Sequence, residues 1–361
     1  MKIFYVITTI ERGGAENQLL ILVSELVKAG NEIHIFNLKG KSDLKNDFVE
    51  LGAQVHTNLV KVNIISKIII LRFMISKMKP DIVHAHLPLA EIVARFSIKN
   101  NSKYIITRHF GGNFFPGKNK YISSWLGRVA SKSASSVIAI SNFVEKLLVK
   151  NREVYDISKI KTVYYGFNEK IFFNKNYDET QYASRKEKTN LKVIGTVARL
   201  SPEKDLDTLI TAFANLIKTN PDFELHIAGG GRLENSLKDL CSQLDVTNKV
   251  KFLGRINDVP NFLKSLSIFI LTSKFEGFGM VLLEAMACKK PIIAANNSAI
   301  TEVVGKHGAG LFFETSNNSD LLLKIKKILT MSKKEMKYAQ KNQIDFFSSK
   351  KMAEEVMKIY I

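Results

Sequence analysis

Cysteine is scarce in this 361-residue chain: Cys241 and Cys288 are the only two. Both fall in stretches with helical spacing, so a disulfide scaffold and a zinc cluster are excluded and a reducing compartment fits. A long uninterrupted apolar run is also missing. The most apolar segment, Leu59 to Lys79, is broken by Lys67 and Arg72 and falls short of the roughly 20 apolar residues a spanning helix needs. It reads either as a crossover helix between two strands or as a helix lying on a membrane surface. The opening run Met1 to Ile7 is too short for a signal peptide and leads straight into glycines, so it reads as a first strand and the expected location is cytoplasmic. No short-period repeat is visible. Acidic residues are few, 34 Asp and Glu against 53 Lys and Arg, which leaves a formal net charge of +19. That surplus requires an acidic partner: anionic lipid, a phosphorylated substrate or nucleic acid.

The length exceeds what one core usually supports, so two domains of ~150–180 residues are expected. Strand-like runs alternate with helical patterns from Lys2 to Tyr164, and again from Leu191 to Ala295. The expected fold class is therefore α/β, with two doubly wound Rossmann-like domains. The boundaries read 1–172 for the first domain, 173–190 for a polar linker and 191–345 for the second domain. The segment 346–361 reads as a final helix that crosses back to the first domain.

The most informative stretch runs from Ser267 to Pro291: an apolar run of strand length, the turn Lys-Phe-Glu-Gly-Phe-Gly-Met, then apolar residues at helical spacing. Backbone N–H groups at Phe278, Gly279 and Met280 then belong to a first helical turn, where they and the helix dipole suit a phosphate. Glu276 precedes the turn, and Glu284 projects from the helix about 7.5 Å beyond Gly279. Carboxylates repel a phosphate, so both suit hydroxyl groups flanking a diphosphate, as on the ribose and hexose of a nucleotide sugar. An ordinary strand–helix unit with solvated glutamates is the plain alternative.

Glu276, Gly277, Phe278, Gly279, Glu284, Ala285, Met286, Ala287, Cys288 and Pro291 together resemble the signature of the retaining glycosyltransferases of family 4, which have the GT-B fold. The departure is Lys289, where the family usually has glycine; it bears on the helix C-cap rather than the chemistry. The resemblance implies two domains facing across a cleft, a nucleotide-sugar donor and no metal or other cofactor. It gives Glu276 and Gly277 to the donor sugar, Glu284 to the ribose, and Phe278, Gly279 and Met280 to the diphosphate.

Other motifs take their places around this one. Arg199 at a strand end and Lys204 at the following helix start can converge on a diphosphate. Gly13 and Gly14, before an apolar helical face, let backbone approach a ligand; the resemblance places Gly14 at the donor diphosphate and Gly13 on the acceptor side. Asp205-Leu206-Asp207 superficially fits an acid-x-acid metal motif, yet its place in a first helical turn suggests capping. His84, His86 and His109 stand at consecutive strand ends. In the family the residue matching His109 sits beside the sugar at the reaction centre, so His109 and Glu276 are the catalytic candidates. His86 and Arg108 fall on the acceptor side, and Gly229, Arg255 and Ile256 near the nucleoside.

The loop from Phe110 to Arg128 interleaves aromatic and basic residues and suits a lipid-facing acceptor site. Because these aromatics lie in one loop and not along a sheet face, nucleic acid is not expected as a partner. The expected activity is retaining transfer of a sugar from a UDP- or GDP-sugar to a saccharide acceptor, lipid-linked, at the inner face of a membrane as in surface polysaccharide assembly. The alternatives are a non-catalytic basic binding protein on the same scaffold and a sugar-nucleotide epimerase or hydrolase.

Overall fold

The computed structural model describes residues 1–98, 102–109, 114–115, 119–173 and 191–361. The chain divides into two compact units: Met1–Phe167 with Phe347–Ile361 forms unit 1, and Asn168–Phe346 forms unit 2. Of the linker expected at 173–190, all but Phe173 lies outside the described residues.

Unit 1 is built on a seven-stranded parallel sheet. Its strands are β1 (Lys2–Ile7), β2 (Glu32–Asn37), β3 (Gln54–His56), β4 (Ile82–His86), β5 (Lys103–Arg108), β6 (Ser136–Ala139) and β7 (Ile160–Thr162), in the order β3-β2-β1-β4-β5-β6-β7. A strand covered on both faces must be apolar throughout, and Ile3 to Ile7 are all fully buried. The connecting helices are α1 (Gly14–Lys28), α2 (Lys45–Glu50), α3 (Ile64–Met78), α4 (Pro88–Ser97), α5 (Lys120–Ser131) and α6 (Asn142–Lys150).

Strand order reverses between β1 and β4. With right-handed crossovers, this puts α1 and α2 on one face of the sheet and α3, α4 and α5 on the other. Helix α4 packs between α3 and α5. The segment 59–79 thus supplies the crossover from β3 to β4, with Asn63 capping Ser66 N at 2.9 Å. Lys67, Leu71 and Ile75 face inward, while Ile65, Ile69 and Phe73 stay exposed.

Unit 2 has a six-stranded parallel sheet in the order β10-β9-β8-β11-β12-β13. Its strands are β8 (Lys192–Val197), β9 (Phe223–Ala228), β10 (Val250–Gly254), β11 (Ile268–Leu271), β12 (Ile292–Ala295) and β13 (Leu311–Phe313). Its helices are α7 (Glu169–Phe173), α8 (Leu206–Ile217), α9 (Glu234–Gln243), α10 (Val259–Ser265), α11 (Met280–Ala287), α12 (Ile300–Val304), α13 (Asn318–Thr330) and α14 (Lys333–Phe346). Here the order reverses between β8 and β11. The chain then returns to unit 1 as α15 (Ser349–Tyr360), which packs on α1. Tyr360 ends it with a hydroxyl 2.7 Å from that of Tyr5 and 2.6 Å from His84 Nδ1.

Two strands, β3 and β13, are absent from the sequence reading. Each is a three-residue edge strand, too short to show a period. The two extra strands extend the sheets outward and leave their centres unchanged.

Lys289 explains the glycine usual at its position. It is left-handed, with φ 56°, and follows α11 as the turn residue of a Schellman motif: Lys289 N bonds to Met286 O at 2.7 Å and Lys290 N to Ala285 O at 3.0 Å. A Cβ is strained there, so Lys289→Gly should raise the stability of unit 2 by up to about 1 kcal/mol. Urea unfolding midpoints of the two proteins measure it.

Candidate active site

In an open parallel sheet, ligands bind beyond the carboxyl ends of the strands, where the order reverses. In unit 2 the loops after β8 and β11 flank that point. They are stapled together: Lys204 Nζ lies 2.6 Å from Glu276 Oε1, and both side chains are largely buried. Thr272 Oγ1 donates to Lys204 O at 2.8 Å, and Lys274 N donates to Glu203 O at 2.8 Å. Ser273 Oγ donates to the same Glu276 Oε1 at 2.8 Å. The loop after β12 joins them, since Glu276 N donates to Ser298 Oγ at 3.1 Å and Asn297 Nδ2 to Ser273 O at 3.0 Å. Three strand-end loops therefore meet at one residue, Glu276, through its carboxylate and its backbone N–H.

The helix expected after the glycine turn is α11, which starts at Met280 with Gly279 at its N-cap. Gly279 has φ 92°, a conformation open to glycine and costly for other residues. The ring of Phe278 is buried below the loop, so Phe278 offers a ligand its backbone only. Glu284 lies half-buried in the second turn of α11. Arg199 stands apart from the Lys204 pair: its guanidinium is exposed and lies 3.2 Å from Glu203 Oε1.

Gly229 and Gly231 owe their glycine to the fold itself. A Cβ at Gly229 would sit 1.9 Å from Ala198 O, and one at Gly231 would sit 2.4 Å from Leu200 O. The loop after β9 is thereby pressed against the loop that carries Arg199, with exposed Arg255 and half-buried Ile256 following β10. Asp205 differs from expectation. Its carboxylate caps no backbone group; it accepts from Thr208 Oγ1 at 2.9 Å and Ser316 Oγ at 2.7 Å, and pairs with Lys274 Nζ at 3.0 Å. Its backbone is left-handed, φ 51°, and the carboxylate meets the first turn of α8 through the Thr208 hydroxyl.

In unit 1, Gly13 is the extended N-cap of α1, and a Cβ on Gly14 would meet nothing within 4 Å, so the helix start is open there. The histidines form two hydrogen-bonded groups in the same unit. His86 Nδ1 is 3.0 Å from His109 Nε2, and His109 Nδ1 bonds to the Tyr165 hydroxyl. His84 bridges Tyr360 and Thr107, its Nε2 lying 2.7 Å from Thr107 Oγ1. Burial pushes His109 and His84 down to about 3, and drives His86 down as well. All three rings are neutral at neutral pH, so His109 can exchange hydrogen bonds but cannot act as a cation.

Two acceptor-side expectations are corrected. His86 is buried, packed against the rings of Tyr5, His84 and His109 beneath side chains of α1 and α15. Arg108 is buried as well: Nε donates to Glu91 Oε2 at 2.8 Å, Nη1 to Glu153 Oε2 at 3.4 Å and Nη2 to Gly127 O at 3.1 Å. The ring of Phe114 covers the guanidinium at 4.4 Å. Its role is to join α4, α5 and the end of β5. The glycines and bases of the expected acceptor loop at 110–113 and 116–118 lie outside the described residues.

Ser273, Asn297 and Ser298 were not picked out as site residues. A serine before a glycine turn carries no motif of its own. Ser298 is left-handed, with φ 48°, a conformation that favours glycine.

The depressed histidines set a pH dependence. A ring kept neutral in the folded state contributes stability that is present above its unfolded value of about 6.5 and is lost as pH falls toward 3. His84→Gln should therefore lessen the loss of unit 1 stability by about 1.4 kcal/mol per pH unit within that window. Trp125, the chain's single tryptophan, lies in unit 1 and reports its urea unfolding by fluorescence.

Comparison with known proteins gives the site its context. Residues 178–345 match the family model described as glycosyl transferases group 1, and residues 12–170 match that of glycosyltransferase family 4. An uncharacterized glycosyltransferase of Methanocaldococcus jannaschii is 27% identical over 256 residues, covering 69% of this chain and 65% of that protein. The UDP-Gal:alpha-D-GlcNAc-diphosphoundecaprenol alpha-1,3-galactosyltransferase of Escherichia coli is 27% identical, covering 72% of this chain and 69% of its own. The Anabaena protein HepE, crystallised with UDP-glucose, superposes with a TM-score of 0.83 at 21% identity, covering 99% of this chain and 98% of its own. With a family match on each parallel-sheet unit and the glycine turn where the strand order reverses, the chain belongs to glycosyltransferase family 4, with the GT-B fold.

Proposed function

We propose that this glycosyltransferase moves a hexosyl group from a UDP- or GDP-sugar to a hydroxyl of a lipid-linked saccharide, with retention of configuration, in the assembly of a surface polysaccharide. The observation that carries the reading is the meeting of Lys204, Ser273 and Ser298 on Glu276, beside the start of α11. A largely buried ammonium next to a helix N-terminus is suited to a diphosphate, and a carboxylate held by Lys204 and Ser273 in a loop that Ser298 fixes through the Glu276 backbone N–H is suited to orienting sugar hydroxyls.

In this reading Lys204, Arg199 and the backbone of Phe278, Gly279 and Met280 offset the charge that develops on the leaving diphosphate, the work that usually dominates such barriers. These groups take the place of a metal ion. Glu284 serves the ribose, and Gly14 adds an open helix start on unit 1. His109 keeps the sugar-side role that the family resemblance implies, as a neutral ring held by His86 and Tyr165. Retention follows from attack on the leaving-group face, with the departing phosphate accepting the acceptor's proton. The undecaprenol-linked acceptor in the name of the Escherichia coli relative and the UDP-glucose bound by the Anabaena protein support the substrate classes. A peripheral place on the inner membrane face accords with that acceptor, and no helix among the described residues is long and apolar enough to cross a membrane.

Glu276→Ala should lower kcat at least about a hundredfold while UDP or GDP binds with near-normal affinity, measured by turnover and calorimetry. Near-normal turnover would refute the assignment. Arg199→Ala should weaken nucleotide binding about tenfold or more, and transfer should persist in a chelator. A thermal-shift series with UDP, GDP and ADP identifies the base.

A further inference from the structure

Helix α3 leaves a row of large apolar side chains uncovered. Ile65, Ile69 and Phe73 recur at i, i+4 and i+8 and are 68, 60 and 62% exposed. Isolated exposed hydrophobic residues are ordinary; a continuous row along one helix face is not. The neighbouring helix extends it. Arg72 Nη2 on α3 donates to Phe96 O on α4 at 2.6 Å, and the side chain of Phe96 is exposed as well. On the far side of α4, helix α5 exposes Tyr121 and Trp125 on the same face of the sheet.

The charge of this face is one-sided. From Leu51 to Pro80 the sequence holds no Asp or Glu, and Lys61, Arg72, Lys77 and Lys79 are exposed around the row. Helix α5 has no acidic residue and exposes Lys120 and Arg128. The one acid on the three helices, Glu91, is fully buried and paired with Arg108. Apolar wedges flanked by cations and free of exposed anions are what an anionic bilayer surface accepts: acyl chains take the wedges and headgroup phosphates the cations.

We infer that the α3–α4–α5 face of unit 1 docks on an anionic phospholipid bilayer, with Ile65, Ile69, Phe73 and Trp125 entering the headgroup boundary. This deepens the lipid-linked acceptor reading by naming the surface that meets the membrane. A second copy of the chain is disfavoured as the occupant, because pairing two such faces would bring like charges together. Nucleic acid is disfavoured because an unbroken isoleucine and phenylalanine row offers its phosphates no bonds.

Vesicles of phosphatidylcholine with about 30 mol% phosphatidylglycerol and without any saccharide lipid test the surface apart from the transfer chemistry. The whole protein should pellet with them, not pellet with phosphatidylcholine alone, and be released at about 0.5 M salt. Trp125 emission should shift to the blue on binding. Ile69→Asp with Phe73→Asp should weaken pelleting at least about tenfold, while the UDP or GDP thermal shift stays that of the parent, showing a folded chain. Equal pelleting of parent and variant, an unshifted Trp125, or a dimer that the variant dissolves would each overturn the inference. Normal pelleting with no transfer to a lipid-linked acceptor would instead count against the acceptor reading alone.

Discussion

One contact governs unit 2: the ammonium of Lys204 against the carboxylate of Glu276. The two side chains come from loops that leave strands on opposite sides of the point where the sheet order reverses. Paired and largely removed from water, they hold those loops in a single arrangement, and Ser273 and Ser298 take up further hydrogen bonds of the glutamate. On the proposed function, a diphosphate entering at the start of α11 would meet an ammonium already fixed in place. Catalytic charges set before the substrate arrives require no reorganisation at the moment of reaction.

Unit 1 follows a different logic. Its polar groups near the strand ends are neutral rings and hydroxyls joined in two short chains, and its fully buried ion pairs among the described residues are those of Arg108 with Glu91 and Glu153. Burial lifts both carboxyls to about 7, and Arg108 works against that rise. Buried ions of this kind serve to lock elements in register more than to stabilise them. Here they bind α4 and α5 to β5, which fixes α4, the helix beside the exposed apolar row of α3.

The two-unit α/β architecture was legible because buried parallel strands read as continuous apolar runs, and the glycine turn announced both α11 and Glu276. Of the three-residue edge strands, β7 was legible from the run that continues past it to Tyr164, whereas β3 and β13 were not, since segments that short have no period to detect. Arg108 was misread for a related reason: a strand-end arginine looks the same whether it faces a ligand or turns back on Glu91, and only three-dimensional packing brings residues 91, 108 and 153 together. Ser273 and Asn297 were invisible because their value lies in which loops they join. At Gly229 and Gly231 the close neighbour is the backbone at Ala198 and Leu200, a contact between loops that no spacing in the sequence announces.

The Tyr360 hydroxyl bonds to Tyr5 and His84, so the first and fourth strands of the chain depend on a residue made after all of unit 2. During synthesis unit 2 emerges as one continuous piece, whereas unit 1 waits with an uncovered α1 flank and two buried polar groups lacking a partner. Maturation of the two halves is therefore ordered against their position in the message: the half translated first is the last to close.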